Sequence, residues 1–248
     1  MNRTKIEWVA GPNGQPGYTW NPIKGKCPVG CWYCYARRYY DRFHPLDRLG
    51  VDPNEIYLDE REIDAPFRIK AEAGIFLCST FELFHPAADA FRDFIFGVIK
   101  DAPRHTFFIL TKMPEKIDRT MPPNVWLGVS VTGPEDWGRA KNLAIHHEAS
   151  VKFISFEPLL NDLSRSDLRY VAGEFDWFII GSLTGPTRRG PRPDLLREWV
   201  SQIMEIAGDF GVPVFMKNNL RWKNTFPERL PLVQEFPEEF GISPQKGG

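Results

Sequence analysis

Cys27, Cys31 and Cys34 follow one another in the spacing C-x3-C-x2-C, with Tyr33 immediately before the last. Three thiolates this close can hold three irons of a cubane [4Fe–4S] cluster, since iron–sulfur clusters are ligated by cysteine sulfur. The motif supplies nothing for the fourth iron, and an open metal position is what separates a catalytic centre from a closed structural one. Zinc is the competing occupant, with Cys78 or His44 as fourth ligand. Zinc sites usually come as two ligand pairs, and this triplet has no matching pair. Pro28 and Gly30 let the chain wrap a compact centre, because glycine tolerates positive φ. Trp32 and Tyr35 read either as a shield against water or as ordinary core aromatics.

A second set of chemistry-bearing residues follows apolar runs. Ser79 and Thr80 with Glu82, then Thr111 and Lys112, Ser130 and Thr132, Glu157, Ser182 and Thr184, and Lys217 with Asn218 and Asn219 each stand just after such a run. Glu157 ends a strand expected to be buried, and a buried carboxylate is costly without a partner. Lys112 and Lys217 are its candidate partners, and all three are candidate catalytic groups. Ser130 suits hydroxyl recognition or helix capping. The loop 185–192 carries Arg188, Arg189 and Arg192 among Gly and Pro, which fits a phosphate contact or an ordinary solvated surface.

The elements that must position these residues are legible as β-rich runs at 75–79, 106–110, 125–131, 151–156, 177–181 and 212–216, with a first strand at 18–20. Their continuous apolar character suits strands buried on both faces. Helical patterns lie between them at 34–43, 86–100, 135–148 and 194–209, the second with Phe91, Phe94, Ile95 and Val98 on one stripe. Strands alternating with helices mean a parallel sheet. The expected fold is α/β, a partial or irregular (β/α) barrel of about six to seven parallel strands, with a doubly wound sheet as the alternative. In barrels the chemistry sits at the C-terminal strand ends, where the polar residues above fall.

The cysteine motif resembles the signature of the radical S-adenosylmethionine (SAM) superfamily, C-x3-C-x-aromatic-C. The chain is similar in more detail to a phage-associated branch that opens with Thr4-Lys5-Ile6-Glu7-Trp8, continues with Thr19-Trp20-Asn21-Pro22 and reaches Cys34-Tyr35-Ala36. Leu83-Phe84-His85, Leu110-Thr111-Lys112, the run 126–131 and Glu157-Pro158-Leu159-Leu160 extend the likeness to about Lys217. The resemblance implies a SAM-cleaving enzyme that generates a 5′-deoxyadenosyl radical for hydrogen abstraction. It implies Cys27, Cys31 and Cys34 as cluster ligands, the backbone of Tyr33 beside the adenine, and an external electron donor such as flavodoxin or ferredoxin. The superfamily's Gly-Gly-Glu-like segment, which meets the methionyl amine, corresponds here to Ser79-Thr80-Phe81-Glu82 and keeps only the acid. Ser79, Thr80, Glu82, Ser130 and Ser182 are the expected cofactor contacts, and Arg188 and Arg189 the expected substrate contacts.

Composition sets outer limits. The chain has 248 residues, is 42% hydrophobic with eight tryptophans, and balances 31 Lys and Arg against 32 Asp and Glu for a net charge of -1. That balance gives no global electrostatic case for nucleic-acid binding, although a local patch remains open. No apolar run is long enough to cross a membrane. Three clustered cysteines without an export-like start read as metal-binding in a cytoplasmic protein. Residues 1–225 are expected to form the barrel with its N-terminal cysteine loop, and 226–248 a Pro- and Glu-rich arm. Two other classes stay open: a zinc-stabilised nucleic-acid-binding module without catalysis, and a non-radical Fe–S protein. The substrate is open as well, with a nucleotide or nucleic acid the class an arginine loop suits.

Overall fold

The computed structural model describes residues 1–240, apart from 12, 13, 16, 44–51, 53, 185–189, 225 and 227–230. The strands are β1 (Asn2–Arg3), β2 (Gly17–Trp20), β3 (Ile23–Lys24), β4 (Tyr57–Leu58), β5 (Gly74–Leu77), β6 (Thr106–Thr111), β7 (Val125–Ser130), β8 (Val151–Phe156), β9 (Trp177–Ile180) and β10 (Val214–Met216). The helices are α1 (Tyr35–Phe43), α2 (Glu60–Ile63), α3 (Asp89–Asp101), α4 (Trp137–His146), α5 (Arg165–Ala172) and α6 (Pro193–Phe210). An eight-stranded sheet runs β1-β2-β5-β6-β7-β8-β9-β10, parallel throughout except for the antiparallel β1 edge. β3 and β4 form a separate antiparallel pair. Among the described residues no helix is long and apolar enough to cross a membrane.

The strand order follows the chain without reversal, unlike a doubly wound sheet, whose order switches direction. Right-handed crossovers then place every connecting helix on the same side. Successive strand residues alternate between faces, so the two faces can be read separately. On the helix side, Ile75, Leu77, Phe107, Ile109, Leu127, Val129, Ile154, Phe156, Phe178 and Ile180 pack with Ile95, Phe96 and Ile99 of α3, Leu143 of α4, Leu168 of α5 and Ile203 of α6. The other face carries Phe76, Phe108, Trp126, Phe153, Trp177 and Phe215, covered by Trp8 and Val9.

That second face is concave. The Trp8 indole lies 4.9 Å from the ring of Phe76 on β5, 5.5 Å from Phe108 on β6, 5.9 Å from Phe153 on β8 and 6.2 Å from Trp177 on β9. Four strand spacings separate β5 from β9, roughly 19 Å in a flat sheet, so the sheet curls around one buried indole. The segment bearing Trp8 is pressed against the backbone. A Cβ at Gly17 would stand 1.6 Å from the Val9 carbonyl oxygen, and one at Gly74 1.8 Å from that of Ala10. Glycine at the starts of β2 and β5 is what admits this strap. On the far edge, Met216 N–H donates to the Val233 carbonyl at 2.7 Å and Glu235 N–H to the Val214 carbonyl at 2.9 Å. Phe236 packs tilted against Trp177 and edge-on against Phe215.

Three expectations need correction. On α3, Ile95 and Val98 are buried as expected and Phe91 packs against the core, but Phe94 is 65% exposed, and Arg92, Phe96 and Ile99 complete the buried face. The α-helix starts only at Asp89, after a 3-10 turn at Pro86–Ala88. Ser79 lies beyond the end of β5, because Cys78 takes φ 52 and turns the chain out of the strand. α5 and the β3–β4 pair were not anticipated; α5 opens with polar Arg165, Ser166 and Asp167, and the paired strands are two residues each.

Trp8→Ala should lower stability by about 3–5 kcal/mol, the cost of deleting a buried large aromatic. Phe94→Ala should stay within about 0.5 kcal/mol of the parent, as surface changes do. Urea unfolding of both variants checks the pair.

Candidate functional site

The concave face changes character along its length. At the N-terminal half of the strands it is aromatic. Two residues further along the same face the pattern places Ser130 after Gly128, Ser155 after Phe153, Gly181 after Ile179 and Lys217 after Phe215. The polar groups are joined across the strand ends. Glu82, buried at 6% exposure, accepts from Thr111 Oγ1 and Phe84 N–H through one oxygen, at 2.7 and 3.2 Å, and from Lys112 N–H through the other, at 2.7 Å. Lys112 Nζ donates to Ser130 Oγ at 3.0 Å. Ser130 pairs in register with Ser155. Ser155 is fully buried, and its Oγ has no hydrogen-bond partner. Two residues on, Glu157 is ion-paired with Lys217 and accepts from Asn219 Nδ2 at 3.0 Å. Asn219 also accepts from Ser182 N–H at 3.0 Å, which ties the end of β9 to the turn after β10.

The cysteine loop overhangs this edge. It follows β3, and Cys27, Cys31 and Cys34 are all half-buried. Burial pushes the Cys27 thiol up, while the amide N–H groups of Val29 and Glu82 pull it back. Arg37 N–H donates to Cys34 Sγ at 3.4 Å. Tyr33 is raised first by burial and then by its neighbour Cys31, to which its hydroxyl donates; Asp136 and Arg139 are close by. Tyr35 O–H donates to the Ser79 carbonyl at 3.3 Å, and Arg38 Nη2 to the Thr184 carbonyl at 3.5 Å, so α1 is tied to the ends of both β5 and β9. Burial drives the Cys78 thiol far above its ordinary range, reinforced by the charge of Glu82.

Among the described residues, no three His, Cys, Asp or Glu side chains converge as a metal-ligating group. The three thiols nevertheless fit an iron–sulfur centre in donor type and surroundings. They share one short loop, and each sulfur has a hydrogen-bond donor beside it, which is how proteins tune cluster sulfurs.

The expected residues divide into groups. Glu157 has Lys217 as its ion-pair partner, and Lys112 points to Ser130 instead. Ser79 Oγ and Thr80 N–H both donate to Asn21 Oδ1, at 3.1 and 3.3 Å, so these two are held at the mouth by a residue of the Thr-Trp-Asn-Pro run. Ser182 is bound to Asn219 through both its amide and its hydroxyl. Arg188, Arg189 and His44 lie outside the described residues. Asn21 and Ser155 were missed as site residues, and Asn219 was named only as a polar residue after a strand, with no role given. Asn21 also stands just beyond a strand end, so the same positional rule reaches it.

A family described as "Protein of unknown function (DUF5131)" matches residues 3–235. The chain belongs to this family. The match runs from β1 to the segment that pairs with β10, and so takes in the strap, the cysteine loop and every strand end described above. No curated protein and no solved structure matches.

Glu157 and Lys217 are mostly buried, with side-chain exposures of 25% and 13%. Glu157→Gln and Lys217→Met should therefore be coupled by roughly 0.5–3 kcal/mol in a double-mutant cycle, with the double variant less damaged than the sum of the singles. Denaturant midpoints of the four proteins measure this, and simple additivity would show the pair to be uncoupled.

Proposed function

We propose that this protein holds a [4Fe–4S] cluster through Cys27, Cys31 and Cys34 and acts on SAM as a radical enzyme, within a partial (β/α) barrel. One observation carries the reading: a loop of three thiols, each beside a hydrogen-bond donor, overhangs the polar C-terminal edge of a curled parallel sheet. The chemistry such a cluster supplies is one-electron reductive cleavage of SAM to a 5′-deoxyadenosyl radical, which abstracts hydrogen from a substrate. The chain's own residues bind, orient and keep water out. The Lys217 ammonium, held by Glu157 and steadied through Asn219, offers a positive charge to a carboxylate. Ser130 and Ser155 lie side by side and fully buried beneath the rim, where Lys112 holds Ser130 and Ser155 Oγ keeps its hydrogen-bonding capacity unspent. Tyr33 anchors the loop near Cys31. The Trp8 layer closes the floor against water. Glu82 spends both oxygens on protein donors and so sets the relative position of the ends of β5 and β6. An external flavodoxin- or ferredoxin-type donor in the reducing cytoplasm supplies the electron. Arg188 and Arg189 remain candidates for substrate contact.

One observation favours a second reading. Because Glu82 is buried and accepts three protein hydrogen bonds, the acid in the Ser79–Glu82 segment is turned to the protein and not to a SAM amine, and a non-radical Fe–S protein needs no such group. Anaerobic reconstitution with iron and sulfide, then dithionite and SAM, separates the two. The expected result is 5′-deoxyadenosine, abolished together with the cluster absorbance in Cys31→Ala. A reducible cluster that never cleaves SAM supports the second reading, and tight zinc without a cluster defeats both.

A further inference from the structure

Helix α1 presents an unusual surface. Positions i, i+3, i+4 and i+7 share one face of a helix. In α1 these are Tyr35, Arg38, Tyr39 and Arg42, all exposed, while Ala36 and Tyr40 turn inward. Tyr35 is 57% exposed and Tyr39 52%, and Trp32 in the loop just before is 48% exposed. A solvated helix face ordinarily carries flexible charged side chains. This one alternates rings with guanidinium groups, with tyrosine at 35 and 39 and arginine at 38 and 42. The surface also has a fixed place. Through Tyr35 to Ser79 and Arg38 to Thr184, α1 spans from the end of β5 to the end of β9, beside the polar edge of the concave face.

We propose that this stripe binds single-stranded nucleic acid, with bases stacked on Tyr35, Tyr39 and Trp32 and phosphates against Arg38 and Arg42. Unstacked bases are recognised by aromatic and guanidinium planes, and phosphates by arginine. A duplex hides its base faces and offers this stripe only phosphates. The net charge of -1 confines the attraction to the patch, so binding is salt-sensitive and local. The proposal deepens the reading above by naming the substrate class, and it rests on that reading only for the chemistry; binding itself needs no SAM.

The test is fluorescence anisotropy with the anaerobically reconstituted full chain. The probes are a labelled mixed-sequence single-stranded DNA, its RNA equivalent, the matching duplex and a polyglutamate peptide. Both single strands should bind, and the duplex and peptide more weakly. Tyr39→Ala should weaken strand binding at least fivefold, whereas Tyr39→Phe, which keeps the ring, should bind like the parent. Arg42→Gln should weaken binding and flatten its salt dependence. Absence of strand binding at low salt, equal binding of duplex or peptide, or a Tyr39→Ala variant that binds like the parent would each overturn the proposal. Cleavage of SAM by a protein that binds no strand removes this inference alone. Strand binding without SAM cleavage removes the radical reading alone.

Discussion

A single indole that touches rings on β5, β6, β8 and β9 leaves the sheet little freedom to flatten, since those strands would otherwise spread by roughly 19 Å. Trp8 is carried there by a strap that crosses Gly17 and Gly74 at van der Waals limits, so the start of the chain acts as a floor for the curled sheet. Because the curl is concave on the side away from the helices, the ends of β5 and β9 come close enough for one short helix, α1, to reach both. The cysteine loop is attached to that helix. Its position over the strand ends is thus a consequence of how tightly the sheet wraps the indole.

The same face is dry at one end and polar at the other. Strand alternation makes this economical: a residue two places beyond an aromatic inherits its direction but lies nearer the mouth. Burial there demands pairing, and the chain answers with a relay from Glu82 through Lys112 and Ser130 on one flank, and from Glu157 through Lys217 and Asn219 on the other. Each relay joins strands that are distant in sequence, and so fixes the rim that the parallel ladder leaves open. Between them, Ser155 is buried without a partner, an unusual condition for a hydroxyl in a packed interior.

Much of this arrangement is legible in the sequence, and the exceptions have physical causes. The run 151–156 marks β8 to the residue, and the alternation of strands with helices announces a parallel sheet. A continuous apolar run, however, says nothing about which residue faces which side, so the aromatic layer of Phe76, Phe108, Phe153 and Trp177 stays hidden, as does the role of Trp8. Strand count does not reveal strand order. Periodicity places Ile95 and Val98 inside but misassigns Phe94, because the apolar residues at 91, 94, 95, 96, 98 and 99 fit more than one stripe and the buried face centres on Ile95 and Ile99. Residues 233–235 pair with β10 although their Pro- and Glu-rich surroundings read as an arm. For the site, strand-end position finds Glu157 and Lys217 but cannot choose between Lys112 and Lys217 as the partner, since that choice depends on how the sheet curls. Ser155 sits inside an apolar run and carries no signal of its own.

The central claim is that the three-thiol loop holds a cluster with one iron open to SAM. Electron paramagnetic resonance of the reduced, anaerobically reconstituted protein, recorded with and without SAM, tests it most directly. The account predicts a reduced-cluster signal that changes on addition of SAM and is missing in Cys34→Ala. A cluster signal that saturating SAM leaves unaltered would contradict it, as would a protein that takes up only zinc.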